Sequence, residues 1–179
     1  MLDSKEASSS NETVGCTCIT HPTNKSISLC VSWQAVIRTI IDPFIKYTTA
    51  TLGKPLPSLG SPLSSCFMSI NISSCNCSTL HQTLISHGLF PTAPSQPQMA
   101  MSVELLSFYC ALFEHSCDAI NALATALSMY YSRQGFCMTN QQGTTVKDPF
   151  WCGLSQAAQW YTILQVEVEK QVDSILQRC

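Results

Sequence analysis

Charge is what this sequence has least of. Lys, Arg, Asp and Glu together make up 11% of the 179 residues, well under the usual quarter. Only three arginines occur: Arg38, Arg133 and Arg178. With a formal net charge of −2, the chain lacks the clustered cations that neutralise phosphates, so a strong electrostatic grip on nucleic acid is not expected, only a local patch at most. No apolar run approaches the roughly 18 residues of a membrane span. The opening stretch, Met1 to Thr13, has no apolar core of a secretory leader. A glycine-rich phosphate loop is missing. Ser, His and Cys are plentiful, but nothing fixes a nucleophile beside a base. Glu167, Glu169 and Asp173 fall on one helical stretch, yet Glu167 and Glu169 face apart and no strand framework gathers them around a divalent metal. The chain is therefore read as having no catalytic residues and no small-molecule substrate.

Cysteine is abundant instead, with eleven residues, an odd number that cannot all pair internally. Two tight pairs stand out, Cys16-x-Cys18 and Cys75-x-Cys77. Side chains two apart on an extended backbone point the same way, so each pair presents two sulfurs to one side. Four thiolates are the number a closed structural zinc site takes. Cys16, Cys18, Cys75 and Cys77 are the candidate ligands and zinc the candidate cofactor, with Cys30, Cys66 and His81 as substitutes. His81 lies one helical turn past Cys77. Cys117 reads as a buried thiol beside a helix start, and Cys110, Cys137, Cys152 and Cys179 as incidental. Four glycosylation sequons begin at Asn11, Asn24, Asn71 and Asn76 and would matter only in a secreted chain. Without a leader, the expected compartment is intracellular, where thiols stay reduced or hold metal. A secreted, disulfide-bonded protein is the rival reading, separated from this one by a free-thiol count.

Along the chain, residues 1–14 form a polar arm expected to be disordered. Residues 15–77 form a cysteine-cluster region. Within it Ser26-Ile-Ser-Leu-Cys-Val-Ser and Phe67-Met-Ser-Ile-Asn-Ile-Ser alternate polar and apolar residues, the period of a strand. Residues 34–50 are apolar and ambiguous, and residues 51–65 are a proline- and glycine-rich loop. From residue 78 to 179 the pattern is helical. Ser78 caps a short helix that Gly88 ends. Ser102 opens a helix to about Glu114 whose apolar residues cover nearly every side, so that it should lie in the core. A third helix runs from Asp118 to about Ser132, with Ile120, Leu123, Leu127 and Tyr130 on one stripe, and stops at Gly135. The last runs from about Leu154 to Gln177 with Leu154, Ala157, Tyr161, Leu164, Val168, Val172 and Ile175 on one stripe, for packing on this domain or on a partner helix. The fold class is α+β, mainly α: a small zinc-ribbon-like strand pair followed by a bundle of about four helices.

Several stretches together resemble the cysteine-cluster region that precedes the catalytic core in fungal transposases of the Kyakuja–Dileera–Zisupton (KDZ) class. They are His87-Gly-Leu-Phe-Pro-Thr-Ala-Pro-Ser-Gln-Pro, Leu105-Leu-Ser-Phe-Tyr, Ala111-Leu-Phe-Glu, Ser116-Cys-Asp-Ala-Ile-Asn-Ala-Leu-Ala, Asp148-Pro-Phe and Gln159-Trp-Tyr. The resemblance spans residues 75–177. It implies a zinc-chelating Cys-x-Cys cluster, mapping onto Cys16, Cys18, Cys75 and Cys77, in a nuclear accessory domain whose partners are DNA, held weakly, or transposase subunits. It also implies arginine where this chain has Gln98, Cys110, His115, Cys137, Trp151 and Cys152, each one cytosine transition from an arginine codon. Six such arginines would move the net charge from −2 to about +4. The last helical pattern reaches Cys179 without a stop signal. The sequence is accordingly expected to be a truncated or decayed copy whose genomic continuation encodes the transposase core, with a domesticated helical interaction protein as the alternative.

Overall fold

In a computed structural model, the structure describes residues 23–52, 72, 78–116, 119–136, 142–146 and 149–178. The arm at 1–14, both Cys-x-Cys pairs and residues 53–65 lie outside the described residues, as does the alternating stretch 67–73 apart from Ile72. The order of elements is α1 (Asn24–Thr51), α2 (Leu80–Ser86), β1 (Leu89–Pro91), β2 (Ala100–Ser102), α3 (Val103–His115), α4 (Ala119–Arg133) and α5 (Trp151–Leu176). The α+β, mainly helical class read from the sequence holds.

The strand expected over Ser26–Ser32 is instead the first two turns of α1. Thr23 takes the N-cap position, its hydroxyl accepting from the Ser26 N–H. Residues 24–32 are all exposed, so no buried face holds them to a two-residue period. What decides the matter lies downstream: Trp33, Ile37, Ile40 and Phe44 recur every three or four residues and all are buried. A helix nucleated by that burial propagates back to the nearest good cap, because extension is far cheaper than nucleation. Pro43 sits inside this helix and cannot supply the N–H that Thr39 would otherwise receive. The freed Thr39 carbonyl accepts from Gln82 Nε2 of α2 at 3.2 Å.

The strand pair of this fold is a short antiparallel hairpin, with Leu89 opposite Ser102, Phe90 opposite Met101 and Pro91 opposite Ala100. Gly88 turns the chain from α2 into β1 at φ 74°, in the left-handed region only glycine enters freely. Its carbonyl then accepts from Val103 N–H at 2.8 Å. Thr92 closes the hairpin, both its backbone N–H and its hydroxyl donating to the Met99 carbonyl.

One core joins all the described elements. Trp33 is fully buried and stacks between Trp160, at 5.3 Å and 13°, and Phe90, at 6.0 Å and 8°. Tyr161 meets Phe44 and Phe90 edge to face. Each such side chain contributes about 1.5–3 kcal/mol by burial, and the ring geometry adds about 0.5–1.5 kcal/mol per pair. Among the described residues the Trp33 indole N–H has no hydrogen-bond partner, which costs about 1–3 kcal/mol of that gain. α3 is not enclosed on all sides as its composition led us to expect. It buries Val103, Leu106 and Tyr109 but leaves Phe108 and Phe113 more than half exposed, because its neighbours α4, α5 and β2 cover one side only. In α4 the core contact is Tyr131 rather than Tyr130; its ring lies 5.2 Å from Phe150 and 5.9 Å from Phe136. Gly135, at φ 79°, ends that helix as its sequence indicates.

Candidate metal centre

α2 is the first described element that follows the second cysteine pair in the sequence. It starts at Leu80, three residues past Cys77. Thr79, not Ser78, is its N-cap. The Thr79 hydroxyl accepts from Gln82 N–H while the Gln82 side-chain oxygen accepts from Thr79 N–H at 2.9 Å. This reciprocal capping box gives a helix of only seven residues a defined beginning. Gln82 spends its amide oxygen on that cap and its amide nitrogen on Thr39. One side chain therefore fixes both the start of α2 and its seat on the proline gap of α1.

The four candidate ligands Cys16, Cys18, Cys75 and Cys77 all lie outside the described residues, as does the substitute Cys66. The other two substitutes are described and lie on different helices. Cys30 is exposed on the outer turns of α1. His81 is buried in α2, its Nε2 3.4 Å from the Ala93 carbonyl of the hairpin loop. Burial holds the His81 imidazole below its ordinary value, and the Ala93 carbonyl pulls it weakly the other way. The contact with Ala93 makes His81 a strut between α2 and the hairpin. Among the described residues, no group of three or more His, Cys, Asp or Glu side chains could hold a metal ion.

The remaining described thiols have structural surroundings. Cys110 is half-buried in the seam between α3 and α5, 3.9 Å from Thr162 Oγ1 and 3.8 Å from Gln165 Oε1. Burial pushes this thiol up, away from the reactive thiolate form. Beside it, the Ser107 and Tyr161 hydroxyls share a 2.7 Å hydrogen bond, a link that helical periodicity alone does not reveal. Cys152 is exposed at the start of α5, next to Trp151, whose indole N–H donates to Asn121 at 2.8 Å. Of the positions at which the resemblance implies arginine, Cys137 lies outside the described residues and the others are spread over several elements, Gln98 in the hairpin loop. Cys110 lies in a helix seam, His115 at the exposed end of α3, and Trp151 and Cys152 at the start of α5. No described helix is long and apolar enough to cross a membrane.

No curated protein and no solved structure matches the chain. A family comparison does. The matched span takes in Cys66, Cys75 and Cys77 together with α2, the hairpin, α3 and α4, and leaves out Cys16 and Cys18. Residues 65–135 match the CxC1-like cysteine cluster associated with KDZ transposases, the family whose likeness the sequence itself carries.

Proposed function

We propose that this chain is a non-catalytic, zinc-stabilised accessory domain of transposon origin, acting inside the cell, in the nucleus, through weak DNA contacts or contacts with transposase subunits. The observation that carries the reading is the family match over residues 65–135, a span that includes Cys75 and Cys77. The donor set fits the ion. Cys16, Cys18, Cys75 and Cys77 offer four thiolates, a complete tetrahedral complement for zinc that leaves no open coordination position for chemistry. The bound ion would supply folding free energy by tying the two cysteine segments together.

The non-catalytic reading rests on the acidic side chains. Glu167 is engaged with Lys170 at 2.7 Å on the exposed surface of α5, and Glu169 and Asp173 are exposed on that helix too. The weak grip on DNA rests on charge, since few cations are available for counterion release. Elemental analysis of protein purified without chelator tests the proposal. The expected result is one zinc per chain, lost when Cys75 and Cys77 are both changed to Ser. Metal-free protein whose Cys75 and Cys77 sulfurs are found in disulfides would refute it and favour the secreted reading.

A further inference from the structure

The last helix outruns the core it belongs to. Leu154, Ala157, Trp160, Tyr161 and Leu164 of α5 are buried. The same stripe continues through Val168, which packs against the core edge, to Val172 and Ile175. Among the described residues the cover ends there: Val172 is 42% exposed, Ile175 55% and the adjoining Leu176 67%. Two edges flank this stripe. One carries Thr162 and Gln165, which face Cys110 of α3, and continues into Glu169 and Asp173. The other carries Trp160, covered by Trp33 of α1, and continues into Glu167, Gln171, Ser174 and Arg178. Glu167 and Arg178 are about three helical turns apart and so share that open edge. Among the described residues, Arg178 reaches only Ser174 Oγ, at 3.3 Å, and Glu167 only Lys170 of its own helix.

We infer that this overhang is a self-association surface, and that its occupant is the same segment of a second copy running antiparallel. Charge selects both the partner and the direction. A two-fold axis passing between Gln171 and Ser174 sets Glu167 of each copy against Arg178 of the other, giving two ion pairs at the ends of the contact. It also interleaves Val168, Val172, Ile175 and Leu176 with their counterparts. A parallel copy would set Glu167 on Glu167 and Arg178 on Arg178, and would align rather than oppose the helix dipoles. The contact is isologous, as a closed dimer requires. It spans only the end of one helix, at the low end of specific interfaces, so the dimer is reversible and concentration-dependent. The inference does not depend on the zinc reading, because no cysteine takes part.

Sedimentation equilibrium of the full chain at low salt, over a wide concentration range, decides it. The expected result is a monomer–dimer equilibrium. Glu167→Arg and Arg178→Glu should each lower the association constant by about tenfold, since both ion pairs become repulsions. The double variant, with the charges exchanged, should restore association. Val172→Glu should leave a monomer with unchanged helicity and melting temperature, because its side chain lies outside the core. A chain monomeric at every concentration, or a dimer indifferent to the single reversals or not rescued by the exchange, would overturn the inference. So would association only with vesicles or with a different protein.

Discussion

Gly88 shows how much rests on one missing methyl group. Its φ of 74° already disfavours any side chain, and a Cβ built there would meet the Tyr47 hydroxyl and ring. Gly88→Ala is expected to destabilise the fold by about 2–4 kcal/mol, from left-handed strain and overpacking together, read as a lower urea midpoint with an unchanged slope. The sequence identifies Gly88 as a helix stop. It cannot identify the Tyr47 contact, because Tyr47 comes from a helix far upstream whose register is set by its own buried stripe. His81 makes a second prediction. Its imidazole is held below the ordinary value of 6.5 by burial, so on acidification the unfolded chain takes up the proton first. This contribution to stability is complete above pH 6.5 and is lost as pH falls from there toward the lower folded value. Denaturation midpoints measured on either side of pH 6.5 should show that decline, and His81→Gln should remove it.

At the scale of elements, α3, α4 and α5 were legible to within a few residues. Each has a long apolar period and two carry unambiguous terminal signals: Ser102, whose hydroxyl accepts from Leu105 N–H, and Gly135. α1 was not legible at its start, since seven alternating residues at Ser26–Ser32 mimic a strand when the burial that fixes the helix begins only at Trp33. The hairpin was missed because β1 and β2 are three residues each, too short for a period-two pattern to emerge between prolines. The candidate ligands rest on Cys-x-Cys spacing alone, a pattern local to the sequence, and all four lie outside the described residues. The bridge from Gln82 to Thr39 could not be read at all, because it exists only where a proline gap and a capping residue from another helix meet. It is testable by a double-mutant cycle. Gln82→Ala should cost about 1–2 kcal/mol, from the lost cap and the lost bridge. With Pro43→Ala the Thr39 carbonyl regains a backbone partner, and the cost of Gln82→Ala should shrink toward that of the cap alone.

At the scale of the molecule, the family match and the folding unit do not coincide. Residues 65–135 contain Phe90, Leu106 and Tyr109 but neither α1 nor α5, which supply Trp33, Ile37, Ile40, Phe44, Leu154, Trp160, Tyr161 and Leu164 to the same core. A fragment limited to 65–135 should therefore show weak helicity and no cooperative melt by circular dichroism, whereas the full chain should melt cooperatively. An independently folded fragment would show that the cysteine cluster can stand without the enclosing helices.

The stacked indoles give this enclosure an optical signature. The chain has three tryptophans: Trp33 and Trp160 lie nearly parallel 5.3 Å apart inside the core, and Trp151 is 45% exposed. Two transition dipoles held that close are expected to couple as an exciton, so the folded chain should carry an ultraviolet ellipticity that neither ring has alone. One ring belongs to α1 and the other to α5. The signal consequently reports the seating of the first helix on the last, and vanishes when the two part even if both remain helical.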